Sequence, residues 1–349
     1  MTETNGTTTA KGLNTVGLAK NDYRGAATTL CAGCGHNSIA NQVIAMAYEL
    51  NIVPEDMIKF SGIGCSSKSP TYFLSRSFGF NSLHGRMPSV ATGALFADHT
   101  LKGLAVSGDG DTTNIGMGQF KHIMRRNVPM VYIIENNGVY GLTKGQFSAT
   151  AEHGLKLKSQ GVNEFMPVDV VMEALASHAT FIARSFAGDA HQVKELIKAA
   201  LSHNGIAVLD IISPCVTFNN EDDARHSYGW AKEHQEPLHD FTFVPMEEEI
   251  TAEYQPGDTT TVTMHDGSKI VLKKTSRDYD PTDRYAAMRM VQETSEQNML
   301  LTGLIYVETQ RESLRDIYKL PKTHGLNRFT AKDLRPSKAS IKKVNDMMF

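Results

Sequence analysis

Five short apolar runs recur along the chain: MIKFS (57–61), LKGLAVS (101–107), PMVYIIE (129–135), FIARSF (181–186) and AVLDII (207–212). They are partly β-branched and are closed by Gly, Asn, Ser or Pro, which reads as strands ending in turns. Between them, apolar positions recur at helical spacing, as in IANQVIAMAYEL (39–50), NIGMGQFKHIMRRN (114–127) and AHQVKELIKAALSHN (190–204). Continuous apolar strands alternating with such helices predict an α/β fold, a mostly parallel twisted sheet covered by helices on both faces. The pattern assigns residues 1–24 to a polar N-terminal segment and 25–240 to one α/β domain. After 240 the rhythm changes. TVTMHDGSKIVLKK (261–274) alternates around HDG and predicts a hairpin, followed by a helix over 285–298, a strand over 301–308 and a basic tail. Residues 241–349 are therefore expected to form an extension that packs on a partner subunit.

Composition narrows the partners. Hydrophobic residues make up 41% and charged residues 21% of the 349 positions, with a net charge of −3, values of an ordinary globular chain. Both charge signs interleave through the central body, so nucleic acid is not an expected partner. The start, MTETNGTTTAKG, has no apolar stretch resembling a signal peptide, and runs such as VPMVYIIE are too short to span a bilayer. The expectation is a cytoplasmic protein without a membrane partner, whose thiols stay reduced.

The sharpest local signal is AVSGDGDTTNIGMGQF. Gly108 and Gly110 allow a tight backbone approach, while Asp109 and Asp111 put carboxylates at the start of the next helix. A helix N-terminus favours an anion, but two carboxylates would repel a phosphate; a divalent cation between them removes the conflict. Further oxygen donors appear in ENNGVYGLTKGQ, where 25 residues separate Gly110 from Asn136. That gap fits one helix and one strand, which brings GDG and NN to the same strand edge. GDG followed by NN at this distance resembles the fingerprint of thiamine diphosphate enzymes. The resemblance implies that Asp109, the Asn137 side chain and the Val139 carbonyl hold Mg²⁺ against the cofactor's diphosphate, with Gly108, Gly110, Asp111 and Tyr140 around it. Ser66 and Ser67, with the backbone near Gly64, offer a nest of N–H groups to the same diphosphate. His84 and Arg86 in LHGR precede a helix and are placed to meet the cofactor or a partner.

The chain has four cysteines, Cys31, Cys34, Cys65 and Cys215. CAGCG alone admits a redox dithiol, half of a zinc site or part of an iron–sulfur site. Cys65 follows the first strand in FSGIGCSSKS and Cys215 follows the fifth in DIISPC, so both are expected at the edge that carries GDG and NN. Taken together, CAGCGH, GIGCSSK, LHGRMPSVATG, GDGD, ENNGVYGLTKGQ and SPCVTFN, continuing into TFNNEDDARHSYGWAK, resemble the beta subunits of 2-oxoacid:ferredoxin oxidoreductases. The resemblance runs in order from about residue 24 to 232. It implies that the four cysteines ligate one [4Fe–4S] cluster beside the thiamine and that coenzyme A is a co-substrate. It further implies ferredoxin as the electron carrier and an alpha subunit that completes the active site, supplying the glutamate on the cofactor's pyrimidine ring. Leu30 and Ala32 depart from many relatives, and Ala32 resembles the pyruvate branch.

For the substrate, Leu142 and Lys144 in YGLTKGQ resemble the 2-oxoglutarate class. A distal carboxylate entering a closed site needs a cation, which Lys144 or, after Cys65, Lys68 would provide. The resulting expectation is a 2-oxoglutarate:ferredoxin oxidoreductase beta subunit. A pyruvate or broad 2-oxoacid enzyme is the near alternative. A non-redox thiamine decarboxylase or synthase, and a cluster protein without thiamine, are the distant ones. Lys338, Lys342 and Lys343 of the tail are candidates for steering an acidic ferredoxin.

Overall fold

The computed structural model describes residues 12–158, 160–244, 259–263, 269–274 and 279–348. Eight strands form its main sheet: β1 (Met57–Ser61), β2 (Phe78–Asn81), β3 (Lys102–Gly108), β4 (Met130–Asn136), β5 (Phe181–Phe186), β6 (Ile206–Ile212), β7 (Gln235–Pro237) and β8 (Leu300–Val307). Their order across the sheet is β7-β8-β5-β6-β4-β3-β1-β2. From β5 to β2 every neighbouring pair is parallel, whereas β8 runs antiparallel to β5 and carries β7 at its outer side.

Strand alternation divides the core into two layers. Leu104 and Val106 of β3 and Val131 and Ile133 of β4 pack under α1 (Gly35–Glu49) and α5 (Ala190–Ser202). Ala105, Tyr132 and Ile134 pack on the other face against α2 (Met87–Ala97), α3 (Met117–Arg125), α4 (Val170–Ala176) and α6 (Arg284–Glu296). Both faces are thus buried, which is why these strands read as unbroken apolar runs.

Three local differences from the sequence reading have physical causes. The helical spacing over 114–127 is interrupted: a π-type turn spans Gly110–Ile115 and α3 starts only after Gly116. A Cβ on Gly116 would lie 2.7 Å from the Asp111 carbonyl, so the backbones pack there too closely for a side chain. β2, FGFN, was not anticipated, because an exposed edge strand needs no apolar run. The strand expected over 301–308 lies inside the main sheet beside β5, with α6 packed on it, so a boundary at 240 cuts through the sheet.

The expected hairpin is present as antiparallel Thr259–Thr263 and Lys269–Lys274, joined by His239–Val244 into a three-stranded sheet; its HDG turn falls outside the described residues. The end of the polar N-terminal segment is anchored. Tyr23 is buried and its hydroxyl donates to the Ile52 carbonyl at 2.7 Å.

Candidate cofactor and cluster site

β1, β3, β4 and β6 are consecutive in the sheet and parallel, so their carboxyl ends open on one edge. The segments leaving those four ends carry Cys65, Asp109, Asn137 and Cys215 respectively. Asp109 is buried. Its Oδ1 accepts from the Asn137 N–H at 3.2 Å, and its Oδ2 accepts from the Gly138 N–H at 3.1 Å and the Thr150 hydroxyl at 2.6 Å, with a further short bond from Ser148. Burial raises the pKa of this carboxyl despite the two hydroxyl donors. Asn137 Oδ1 accepts from the Val139 N–H at 3.1 Å, and the Asn137 carbonyl accepts from Asn219 Nδ2 at 2.9 Å. The Asp109 carboxylate is therefore fastened to the turn that carries Asn137 and Val139, the other members of the expected metal-binding set.

Asp111 does different work from its neighbour. Its carboxylate accepts from the Gly85 N–H at 2.8 Å, the Ile63 N–H at 3.3 Å and Ser107 Oγ at 3.2 Å, and it lies against His84 Nδ1. A Cβ on Gly62 would collide with it at 1.8 Å. Asp111 thus fastens the segments after β1 and β2 to the end of β3, and its oxygens are committed to protein donors. Tyr140 closes the other side: its hydroxyl donates to the Gly110 carbonyl at 2.8 Å, and a Cβ on Gly110 would meet its ring at 2.6 Å. His84 stands edge-on to Tyr140, with ring centroids 6.1 Å apart, and Arg86 sits at the N-terminus of α2.

Ser66 and Ser67 are buried in the turn after Cys65, which begins at Gly64 with φ of +135°. A Cβ on Gly108 would come within 2.8 Å of Ser66 Oγ, so the serine loop presses on the GDG turn. The Ser67 hydroxyl is buried and has no hydrogen-bond partner. A buried hydroxyl without a partner is costly, and an oxygen-rich anion beside the GDG turn would relieve it. With a buried Asp109 carboxylate that pairs with no Lys or Arg among the described residues, these features fit Mg²⁺ and a diphosphate.

All four cysteines, together with His36, Lys68 and Leu142, line one cavity of about 190 Å³. A Cβ on Gly141 would stand 3.6 Å from both Cys65 Sγ and Cys215 Sγ, and Thr217 Oγ1 donates to Cys31 Sγ at 3.5 Å. None of the four is in a disulfide. Among the described residues no three His, Cys, Asp or Glu side chains gather as a set for a single metal ion; the thiols surround a space instead. Burial pushes the Cys34 thiol up to about 12 and raises Cys65 and Cys215 as well, and neighbouring thiols add to the rise. Thiols raised in this way become thiolates together only around a cationic centre. The donor set and its spread fit a cluster.

Behind the cavity lies a buried polar pair that the sequence reading missed. His36 Nδ1 is 2.6 Å from Ser213 Oγ and 3.3 Å from Glu135 Oε2, and Ser69 Oγ lies 3.0 and 3.1 Å from the two Glu135 oxygens. Burial lowers His36 to about 3 and raises Glu135 well above its usual range, disfavouring the charged form of each. Ser148, Thr150, Asn219 and His226 were missed too; each is an ordinary polar residue whose role depends on contacts distant in sequence.

The substrate candidates separate. Leu142 and Lys68 line the cysteine cavity; Lys144 does not. Lys144 is exposed at a turn with φ of +75°, where its N–H donates to the Gly141 carbonyl at 3.1 Å and Gly145 bonds back to the Tyr140 carbonyl at 3.0 Å.

A family profile described as the thiamine pyrophosphate enzyme C-terminal, TPP-binding domain matches residues 62–211. The chain is 42% identical over 193 residues to a 2-oxoacid:ferredoxin oxidoreductase subunit beta from a Sulfolobus species, covering 54% of this chain and 63% of that one. It is 36% identical over 189 residues to the 2-oxoglutarate synthase subunit KorB of Methanocaldococcus jannaschii, covering 54% and 69%. For the 2-oxoglutarate oxidoreductase subunit KorB of Mycobacterium tuberculosis, 39% identical, the match spans about half of the relative, 51%. The solved structure of 2-oxoglutarate:ferredoxin oxidoreductase from Magnetococcus marinus, with 2-oxoglutarate, coenzyme A and succinyl-CoA bound, is similar with a TM-score of 0.71 and 30% identity. That similarity covers 86% of this chain and 89% of the other.

Proposed function

The chain belongs to the family of 2-oxoacid:ferredoxin oxidoreductase beta subunits, and from that membership we propose that it carries the cofactors of a 2-oxoglutarate:ferredoxin oxidoreductase. The reaction is oxidative decarboxylation of 2-oxoglutarate with coenzyme A to succinyl-CoA and CO₂, the electrons passing singly to ferredoxin; the reverse is reductive carboxylation. Bound thiamine diphosphate supplies a nucleophilic carbon and an electron sink, and a [4Fe–4S] cluster relays electrons one at a time.

The chain's own residues bind and orient. Asp109, the Asn137 amide oxygen and the Val139 carbonyl hold Mg²⁺. Ser66, Ser67 and the backbone at Gly64 take diphosphate oxygens, the otherwise unpartnered Ser67 hydroxyl gaining an acceptor. Cys31, Cys34, Cys65 and Cys215 ligate the cluster. Lys144, on the turn that follows Leu142, or Lys68, which lines the cysteine cavity with Leu142, meets the distal carboxylate of the substrate, and the alpha subunit closes the site against water. The observation that carries this reading is the placement of a buried Asp109–Asn137 turn and all four cysteines at one edge of four consecutive parallel strands. A non-redox thiamine enzyme has no use for that ring of thiols. A broader 2-oxoacid specificity is favoured by Ala32 and by the general name of the Sulfolobus relative.

Anaerobic co-purification with the alpha subunit tests the reading. The expected product is brown, bleaches on reduction, contains about four irons per chain, and releases thiamine diphosphate on denaturation. In an oxoacid panel with coenzyme A and a low-potential acceptor, 2-oxoglutarate should give the highest kcat/KM. A colourless protein that still holds thiamine would overturn the redox assignment, and equal use of pyruvate would establish the broader one.

A further inference from the structure

The Thr150 hydroxyl has one proton and three oxygen neighbours. Its Oγ1 is 2.6 Å from Asp109 Oδ2, 2.9 Å from Asn136 Oδ1 and 3.0 Å from Ser148 Oγ, and the Ser148 proton itself goes to Asp109 Oδ2. The orientation of Asn136 is fixed from behind, because its Nδ2 donates to Asp210 Oδ1 at 3.0 Å and Arg184 Nε holds the other Asp210 oxygen at 2.8 Å. A carboxylate accepts and does not donate, so the Asn136 oxygen faces Thr150. That oxygen also lies 3.1 Å from His226 Nε2. An amide oxygen only accepts, so the imidazole proton is on Nε2 and Nδ1 is bare; Nδ1 is buried without a partner. His226 also packs on the turn that carries Asn137 and Val139. At Gly138, with φ of +73°, a Cβ would come within 3.0 Å of His226 Nδ1.

We propose that His226 is a positioning residue for the Mg²⁺–diphosphate site: it supplies the Asn136 oxygen with a donor, which leaves the Thr150 proton to Asp109 and fixes the carboxylate that receives the cation. The proposal rests on the reading that Asp109, Asn137 and Val139 hold Mg²⁺. Without the His226 donor the buried Asn136 oxygen competes for the Thr150 proton, since an unfilled buried acceptor is costly. Asp109 then loses one of its two hydroxyl contacts for part of the time.

The test uses the complex with the alpha subunit, stripped of cofactor, and measures the Kd of Mg²⁺ and thiamine diphosphate by equilibrium titration alongside the melting temperature. H226F is expected to raise that Kd about tenfold, the lower end of what outer partners of metal ligands contribute. H226Q, which keeps a donor, should restore most of the affinity. T150V should weaken binding similarly, and H226F/T150V should bind no worse than T150V alone. Should H226F not fold, H226M carries the same comparison. An unchanged Kd in the apolar variant, or additive losses in the double variant, would overturn the role of His226. A wild-type complex that binds no Mg²⁺ and thiamine diphosphate would overturn the cofactor reading instead.

Discussion

Two lysines that look alike in sequence have opposite environments. Lys59, within MIKFS, is buried, and its ammonium donates to the carbonyls of Pro70, Phe73 and Leu74 at 2.7–2.9 Å, tying down the far side of the loop that carries Ser66 and Ser67. Burial lowers its pKa from 10.5 to about 8. The unfolded chain therefore binds more protons between those two values, and stability contributed through Lys59 rises with pH across that window. The urea midpoint of wild type minus that of K59M should therefore grow as pH rises from about 8 to about 10.5, because only the wild type gains from Lys59 deprotonation; parallel pH profiles would refute it. Lys144 is exposed on a left-handed turn. K144M is expected to raise the KM for 2-oxoglutarate far more than that for pyruvate or 2-oxobutyrate, and equal effects would remove Lys144 from substrate recognition. The sequence made Lys144 visible through its motif. It could not expose Lys59, because a lysine inside an apolar run is indistinguishable from an edge residue until its three carbonyl partners are placed.

At the scale of elements, the site is held by loops that pack backbone to backbone. The β2–α2 segment meets the β3–α3 break at Gly85, φ +69°, where a Cβ would stand 2.8 Å from the Gly116 nitrogen and the Ile115 carbonyl carbon. The same Gly85 donates to Asp111. G85A should therefore destabilise the fold by about 1–3 kcal/mol and weaken thiamine diphosphate binding together with it; chemical denaturation and cofactor titration on one sample check both. The GDGD motif was legible, but the division of labour within it was not. Asp109 faces the Asn137 turn and Asp111 turns back to the loops from β1 and β2, a difference set by the π-type turn that replaces a regular helix start. CAGCG, too, gains its position from an element: Cys34 is the residue at the N-terminus of α1, whose Gly35 packs on Ser213 and Pro214 just before Cys215.

The whole molecule presents further surfaces. Leu83 and Ile115, beside the cofactor edge, and Phe78 and Phe80 on the edge strand β2 are exposed. The proposed alpha subunit would complete this face, so the chain purified alone should bind its cluster and give no oxoacid-dependent dye reduction; robust turnover by the single chain would show that it holds a complete site. The helix Lys338–Met348 exposes Ile341, Val344, Met347 and Met348 beside Lys338, Lys342 and Lys343, of which Lys342 pairs with Asp346 at 2.7 Å. Truncation after residue 335 should lower ferredoxin reduction more at low than at high salt if these lysines steer docking, because exposed charges are screened within about 8 Å at physiological ionic strength. A loss independent of salt would assign the helix to packing on the partner. No helix among the described residues is long and apolar enough to cross a membrane.

The linear chain determined the strand and helix alternation, the segments that leave strand ends, and the residue types needed for a cation, a diphosphate and a set of thiolates, because periodicity and short motifs are local properties. Tertiary structure decided the rest. The order β6-β4-β3-β1 brings four separated segments to one edge, and β8 enters the sheet from a segment that reads as an appendage. It also recruits Thr150, Asn136 and His226 behind Asp109, through contacts 41 and 90 residues apart in sequence. No local preference encodes such contacts; they exist because both faces of the sheet must be buried and most polar groups enclosed there must find a partner.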